Sequence, residues 1–198
     1  MSGSSVLGKN WILKNYNHET VNFLKDNFNL TEIVSRLIAI RKIKIDEVNL
    51  FLNPKIKNSL PNPFILKDME KTVDRTIKAI KNREKIGIFG DYDVDGASST
   101  AVLANYFNII DQKVEIYIPD RKTEGYGPNK QAFDKLISNG SKLIFTVDCG
   151  TLSFEPIEFC QKKNTDVLVL DHHQSELKLP KAFSIVNPNR YDDNSNLK

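Results

Sequence analysis

Four short apolar runs, Ile86–Phe89, Val114–Ile118, Leu143–Val147 and Val167–Leu170, alternate with stretches of helical composition, Ser98–Ile110, Asn129–Asn139 and Phe154–Lys163. Strands that alternate with helices fold most simply as a parallel sheet with helices wound over both faces. The expected fold class is therefore α/β, a doubly wound, mostly parallel sheet, with a candidate fifth strand at Phe183–Val186. Ahead of it the spacing changes. Ile33, Leu37 and Ile40, then Val48, Phe51 and Leu52, recur at helical intervals and stop before Pro54. Leu60-Pro61-Asn62-Pro63-Phe64 reads as a turn, and Asp68–Arg83 as a helix with Met69, Val73, Ile77 and Ile80 on one face. This predicts a small basic helical region over 1–60 and a main domain over 61–198.

In a sheet of this kind ligands bind outside the carboxyl ends of the strands. The residues met there are Asp91, Asp93 and Asp95 after the first run, Asp120 and Arg121 after the second, Asp148 after the third, and Asp171-His172-His173 after the fourth. Asp also caps helices and opens turns, so one such residue means little. Three carboxylates two residues apart repel one another unless a cation lies among them, and carboxylates joined by neutral imidazole suit Mn²⁺ or a similar divalent ion. Asp91-x-Asp93-x-Asp95-Gly96 also opens like a calcium-binding EF-hand loop, but Val102 stands at the twelfth position, where a bidentate Glu is needed. An aspartyl-phosphate phosphatase is disfavoured by Asp95, which occupies the place such enzymes give to Thr or Val.

Composition excludes several classes. With 40% apolar and 27% charged residues in 198, the chain is ordinary globular protein. No run is long enough to span a membrane and the first nine residues hold no apolar leader, so a cytoplasmic location and no membrane partner are expected. Cys149 and Cys160 have no CxxC spacing, which argues against a disulfide framework or structural zinc. Charge is uneven: 16 Lys and Arg face 9 Asp and Glu over 1–85, against 12 and 16 over 86–198. A basic front half and an acidic back half suit a protein that attracts a polyanion and carries metal where it cuts, although codon bias toward Lys gives the same excess.

Gly90-Asp91-Tyr92-Asp93-Val94-Asp95-Gly96, Pro119-Asp120-Arg121-Lys122-Thr123-Glu124-Gly125-Tyr126-Gly127, Thr146-Val147-Asp148-Cys149-Gly150 and Asp171-His172-His173 together resemble the successive motifs of the DHH phosphoesterases. The Glu-Gly-Tyr-Gly loop and the lead-in from Leu52-Asn53-Pro54 to Leu66-Lys67-Asp68-Met69 are similar to the RecJ-type single-strand-specific exonucleases, and the resemblance runs from about Lys9 to the last residue. It implies hydrolysis of single-stranded DNA from the 5′ end with Mn²⁺ or Mg²⁺, two ions in all, in DNA repair and recombination. Single-strand-binding protein and a helicase would be partners. Carried over by position, Asp93, Asp148 and His172 would hold one metal, and Asp91 and Asp95 a second metal or its water. His173 would face the scissile phosphate as a catalytic residue, as would Asp95 through its water. Arg121 and the Gly125-Tyr126-Gly127 loop would contact phosphate or base, with a salt bridge to Asp120 or Glu124 as the structural alternative for Arg121. The same resemblance implies a further metal-binding Asp and strand-gripping domains beyond Lys198, so the domain is expected to be incomplete at its C-terminus. Two alternatives stay open: a catalytically deficient nucleic-acid-binding module, and a DHH phosphodiesterase acting on short oligonucleotides or cyclic dinucleotides.

Overall fold

The computed structural model describes residues 7–10 and 12–197, apart from the side chain of Asn58. The expected lack of an apolar leader falls largely on residues 1–6, outside the described ones. The chain divides between Leu60 and Pro61 into two compact units.

The first unit is helical: α1 (His18–Phe28), α2 (Glu32–Ile40), α3 (Val48–Leu52) and α4 (Ile56–Ser59). Its core is Leu24, Ile38 and Val48, with Phe28, Leu30, Val34, Ile43 and Leu52 against them. The sequence reading misses α1, whose Asn17 cap accepts from Thr20 N (3.1 Å) and whose apolar residues include Val21, Leu24 and Phe28 along one stripe. In α2 the residues at helical spacing are not the buried ones: Ile33 is 73% exposed and Leu37 45%, because the inward side carries Val34, Ile38 and buried Ser35, whose hydroxyl donates to Thr31 O (3.0 Å). In α3, where Val48, Phe51 and Leu52 recur at helical spacing, Val48 is buried and Phe51 is exposed.

The second unit holds α5 (Met69–Lys81) and a sheet of β1 (Lys85–Gly90), β2 (Val114–Tyr117), β3 (Ser141–Val147), β4 (Asp166–Leu170) and β5 (Ser184–Val186), linked by α6 (Val94–Ile109), α7 (Lys130–Ser138) and α8 (Phe154–Lys162). The strand order is β2-β1-β3-β4-β5 and every pairing is parallel, so the expected α/β class holds and the fifth run is a strand. Alternation along the strands makes two cores. Ile86, Ile88, Leu143, Phe145, Val147 and Leu168 pack with Ala79 of α5 and Phe107 of α6. Phe89, Ile144, Val167 and Val169 pack on the other face with Phe133 and Leu136 of α7 and Ile157 of α8. Each fully buried large side chain contributes about 2–3 kcal/mol. No helix among the described residues is long and apolar enough to cross a membrane.

On α5 the buried residues are Thr72, Arg75 and Ala79, while Ile77 is 42% exposed, so the expected apolar face is rotated. Polar contacts fix it. Thr72 Oγ1 lies 2.7 Å from Ser184 Oγ, and Arg75 donates to Asp166 (2.6 Å) and Glu84 (2.7 Å). Hydrophobic periodicity cannot register such partners.

The polar segment after β5 is tied down as well. Buried Arg190 donates to Asp68 Oδ2 (2.7 Å) and Asp192 Oδ1 (2.8 Å), and Lys67 pairs with Asp192 (2.6 Å). Arg190, then Lys67, hold the Asp192 carboxyl down to about 2. A carboxylate with a lowered folded pKa stabilises fully above its unfolded value and loses that contribution as pH falls through the folded one. The stability difference between the native chain and Asp192→Asn is therefore expected to be constant above about pH 4 and to vanish toward about pH 2, measured by urea unfolding across that range.

Candidate metal centre

The strand order reverses direction between β1 and β3, and at this switch point adjacent loops part and open a crevice at the carboxyl ends. Register places the acidic residues there. Gly90 pairs with Val147 and Val147 with Leu170, so Asp91, Asp148 and Asp171 follow side by side. Their amides extend the ladders: Asp91 N donates to Val147 O (3.4 Å), Asp148 N to Leu170 O (2.9 Å) and Asp171 N to Val186 O (3.0 Å). The sheet thus fixes the backbone from which each carboxylate projects.

Asp91 is 1% exposed and Asp148 7%. Asp91 Oδ1 accepts from Tyr92 N (2.8 Å) and Asp148 Oδ1 lies 3.0 Å from His172 Nε2, whereas Oδ2 of each is buried with no hydrogen-bond partner. Burial, then the neighbouring Asp93 charge, pushes the Asp148 carboxyl above the usual range. Asp93 caps α6, accepting from Gly96 N (2.9 Å), and that bond draws its own carboxyl down. Two groups of ligand atoms, each within 4.8 Å of one another, result: Asp91, Asp93 and Asp148, and Asp148, His172 and His173. Asp148 belongs to both. Two orphaned buried carboxylate oxygens among oxygen and imidazole donors are what a divalent cation would satisfy, so the residues fit the metal that the sequence implies.

This grouping differs from the one carried over by position. Asp91 stands with Asp93 and Asp148 rather than with Asp95, and His173 joins the second ligand group. Asp95 is exposed in the first turn of α6 and belongs to neither group, bordering an open depression with Ser98, Ser99, Asp148, Asp171 and His172. Asp120 is a turn residue, its Oδ1 accepting from Lys122 N (2.8 Å) and Thr123 N (3.1 Å).

Asp171 orients the histidines. Its Oδ1 accepts from His172 N (2.7 Å) and His173 N (3.1 Å) and lies 2.7 Å from His173 Nδ1, while Oδ2 accepts from Thr151 N (3.0 Å). Burial opposes ionisation of Asp171, but the Thr151 and His173 donors together outweigh it and its pKa falls below the usual range. The same hydrogen bond raises His173. An ionised Asp171 can only accept, so Nδ1 of His173 carries the proton, and in the neutral ring that tautomer leaves the lone pair on Nε2. The sequence reading takes Asp171 as part of a motif without assigning it this task; the available signal is a carboxylate two residues before an imidazole.

The loop after β2 reaches the centre through aromatic rings. Glu124 closes it, accepting from Tyr117 OH (2.6 Å) and Asp120 N (2.9 Å), and Gly125 and Gly127 take φ of 80° and 76°. Tyr126 OH lies 3.4 Å from His173 Nε2, and the Tyr126 ring stands edge-on to Tyr92. Among the described residues Arg121 pairs with neither Asp120 nor Glu124; its guanidinium lies 5.2 Å from the centre of the Tyr92 ring. Tyr92 carries no sequence signal that sets it apart from its acidic neighbours. Cys149 is buried beside Asp148, and burial raises its thiol far above the range of a nucleophile.

Residues 85–197 match the model of the DHH family, N-terminal domain. The single-stranded-DNA-specific exonuclease RecJ of Bacillus subtilis is 36% identical over 179 residues, 90% of this chain and 23% of that protein. RecJ of Escherichia coli is 32% identical over 166 residues, 83% and 28% of the two chains. A crystal structure of exonuclease RecJ bound to manganese superposes with a TM-score of 0.60 at 29% identity, over 68% of this chain and 33% of that one. RecJ in complex with Mn²⁺ from Thermus thermophilus shares the fold, with a TM-score of 0.69 at 21% identity over 92% and 25%. The chain spans about a quarter of the length of the curated relatives it matches. Because the family model runs from the first residue of β1 past β5 and takes in every acidic strand end at the switch point, the chain belongs to the DHH family.

Proposed function

We propose that this chain carries the metal-binding core of a RecJ-like exonuclease, a hydrolase of phosphodiester bonds that degrades single-stranded DNA from the 5′ end. The observation that carries the reading is Asp148, buried and shared between two ligand groups at the switch point, in a chain 30–38% identical to proteins named as single-stranded-DNA-specific exonucleases. Asp91, Asp93, Asp148, His172 and His173 would hold two divalent ions, Mn²⁺ or Mg²⁺. When bound, such a pair stabilises charge on the phosphoryl oxygens and makes water a competent nucleophile at neutral pH.

The chain's own residues do the rest. Asp171 keeps the His173 proton on Nδ1, so the ring turns a lone pair to the centre. Asp95, at the rim, orders water. Arg121, stacked on Tyr92, is an extended cation available to a phosphate, and Tyr126 offers a half-exposed ring on which a terminal base can stack. The main chain of Gly125 and Gly127 lets the loop follow the strand. An enzyme of this kind works in the cytoplasm in DNA repair and recombination, beside single-strand-binding protein and a helicase.

The test uses oligonucleotides of graded length labelled at either end, with this chain and with the longest product of its gene. Mononucleotide release from the 5′ end of single strands in Mn²⁺ is expected, with duplex resistant and His173→Ala, which removes a metal-holding group, slower by at least about 10²-fold, beyond what loss of an outer partner costs. Equal cutting of duplex, or a preference for dinucleotides over long strands, would overturn the proposal.

A further inference from the structure

The two histidines follow β4 in an irregular stretch, where neither a helix nor a sheet ladder holds their backbone. Their carbonyls are held instead from one turn after β5. Asn187 is fully buried; its Nδ2 donates to His173 O (2.9 Å) and to Thr151 Oγ1 (2.8 Å), and its Oδ1 accepts from Asn189 N (2.8 Å). Asn189 Nδ2 in turn donates to His172 O, and Asn189 O accepts from Ser175 Oγ (2.9 Å). We infer that Asn187 and Asn189 are positioning residues that aim the His172 and His173 rings at the metal centre, an inference that rests on the metal-binding reading above.

Three features of the chemistry favour this. Both amide protons and the carbonyl oxygen of Asn187 are engaged, and no other side chain of that size supplies two donors and an acceptor together. The second donor goes to Thr151, whose own amide binds Asp171 Oδ2, so one side chain touches both the backbone of His173 and the residue that steadies its carboxylate partner. The turn itself cannot drift, because Arg190 N donates to Asn187 O (3.2 Å) and the Arg190 guanidinium is fixed on Asp68 and the Ile185 carbonyl. Partners one bond removed from a ligand typically govern metal affinity by about 10–100-fold. The arrangement is not local in sequence: it joins residues 14 to 36 positions apart.

The test compares Asn187→Ala and Asn189→Ala with Ser184→Ala, which removes the buried Thr72–Ser184 contact on α5 and serves as a destabilised control. Mn²⁺ affinity is measured by calorimetry at a temperature where each variant is folded. The histidine ring ¹⁵N and ¹³C spectra are recorded without metal. Asn187→Ala is expected to bind Mn²⁺ about 10–100-fold more weakly, Asn189→Ala to lose less, and Ser184→Ala to match the native chain. In the metal-free spectra the His173 ring should change from one fixed orientation to averaged ones in Asn187→Ala and the His172 ring in Asn189→Ala, with both rings unchanged in Ser184→Ala. Affinity within about twofold of native for Asn187→Ala, or an equal loss in Ser184→Ala, would overturn the inference. If the native chain binds no Mn²⁺, it is the metal-centre reading that fails, and unchanged ring spectra in Asn187→Ala would still decide against the positioning role.

Discussion

Replacing Asp148 by Asn is expected to cost the protein its divalent metal at both ligand groups while making the metal-free protein more stable. The carboxylate is buried, lies beside Asp91 and Asp93, and has one oxygen with no partner, so its charge is disfavoured in the absence of a cation. An amide of the same shape removes the charge and can donate to a neighbouring carboxylate. The backbone permits it as well. Asp148 has φ of 61°, a left-handed conformation that Asn tolerates better than other side chains with a Cβ. Removing one ligand from both groups at once should weaken Mn²⁺ binding by at least about 10²-fold, beyond what loss of an outer partner costs. The gain in metal-free stability should be about 1 kcal/mol, in the range found when a functional site is relieved of strain.

The sign with pH is fixed. A carboxyl whose folded pKa is raised destabilises the fold at neutral pH, and the penalty shrinks as pH falls through the raised value and is gone below the unfolded one near 3.8. The advantage of Asp148→Asn in EDTA should follow that course. Thermal unfolding in EDTA and Mn²⁺ titration of the same samples check both halves; a variant that is less stable without metal, or that binds it as tightly, would contradict the shared-ligand geometry.

What the sequence discloses and what it hides divide along physical lines. The strands are legible because each is a short buried run bounded by turn residues, and in a parallel sheet every strand must present its carboxyl end to the same edge. That is why Asp91, Asp148 and the Asp171-His172-His173 triplet can be brought together before any coordinates. Asp120 obeys the same rule yet is a turn residue, since β2 is the edge strand and ends away from the switch between β1 and β3. Helix faces are less legible. α2 turns the polar Ser35 inward beside Ile38, its hydroxyl spent on the Thr31 carbonyl, and α5 is seated by Thr72 and Arg75, whose partners Ser184 and Asp166 lie far along the chain. Asn187 and Asn189 leave no periodic mark at all and read as polar loop. Polar side chains that act through hydrogen bonds to partners far along the chain are invisible to pattern, and here two of them bond the carbonyls of His172 and His173. Arg121 shows the same limit: its neighbours in sequence include acidic residues, but it lies over Tyr92.

Gly96→Ala should be the most damaging single change in the first turn of α6. A Cβ there would stand 2.4 Å from Asp91 O, 2.6 Å from its carbonyl carbon and 2.7 Å from its Cα, all backbone atoms that β1 and β3 hold in register. No rotamer change relieves contact with backbone, so the helix must retreat from the strand end. Both ends of that contact carry candidate metal ligands. Asp91 is the residue struck, and Asp93 is the cap whose side chain accepts from Gly96 N. The expected cost is about 3 kcal/mol, at the upper end of overpacking in a well-packed region, with Mn²⁺ affinity reduced by roughly tenfold or more even where the protein remains folded. Gly125→Ala supplies the contrast. Its φ of 80° makes a side chain strained, but nothing lies within 4 Å of the added carbon, so a loss of about 1–2 kcal/mol without effect on Mn²⁺ is expected there. Urea unfolding and Mn²⁺ titration of the two variants separate close approach from backbone strain. Equal losses in both, or native metal affinity in Gly96→Ala, would mean that α6 can shift without moving Asp91 and Asp93, and that the strand end, not the helix cap, sets the geometry of the first ligand group.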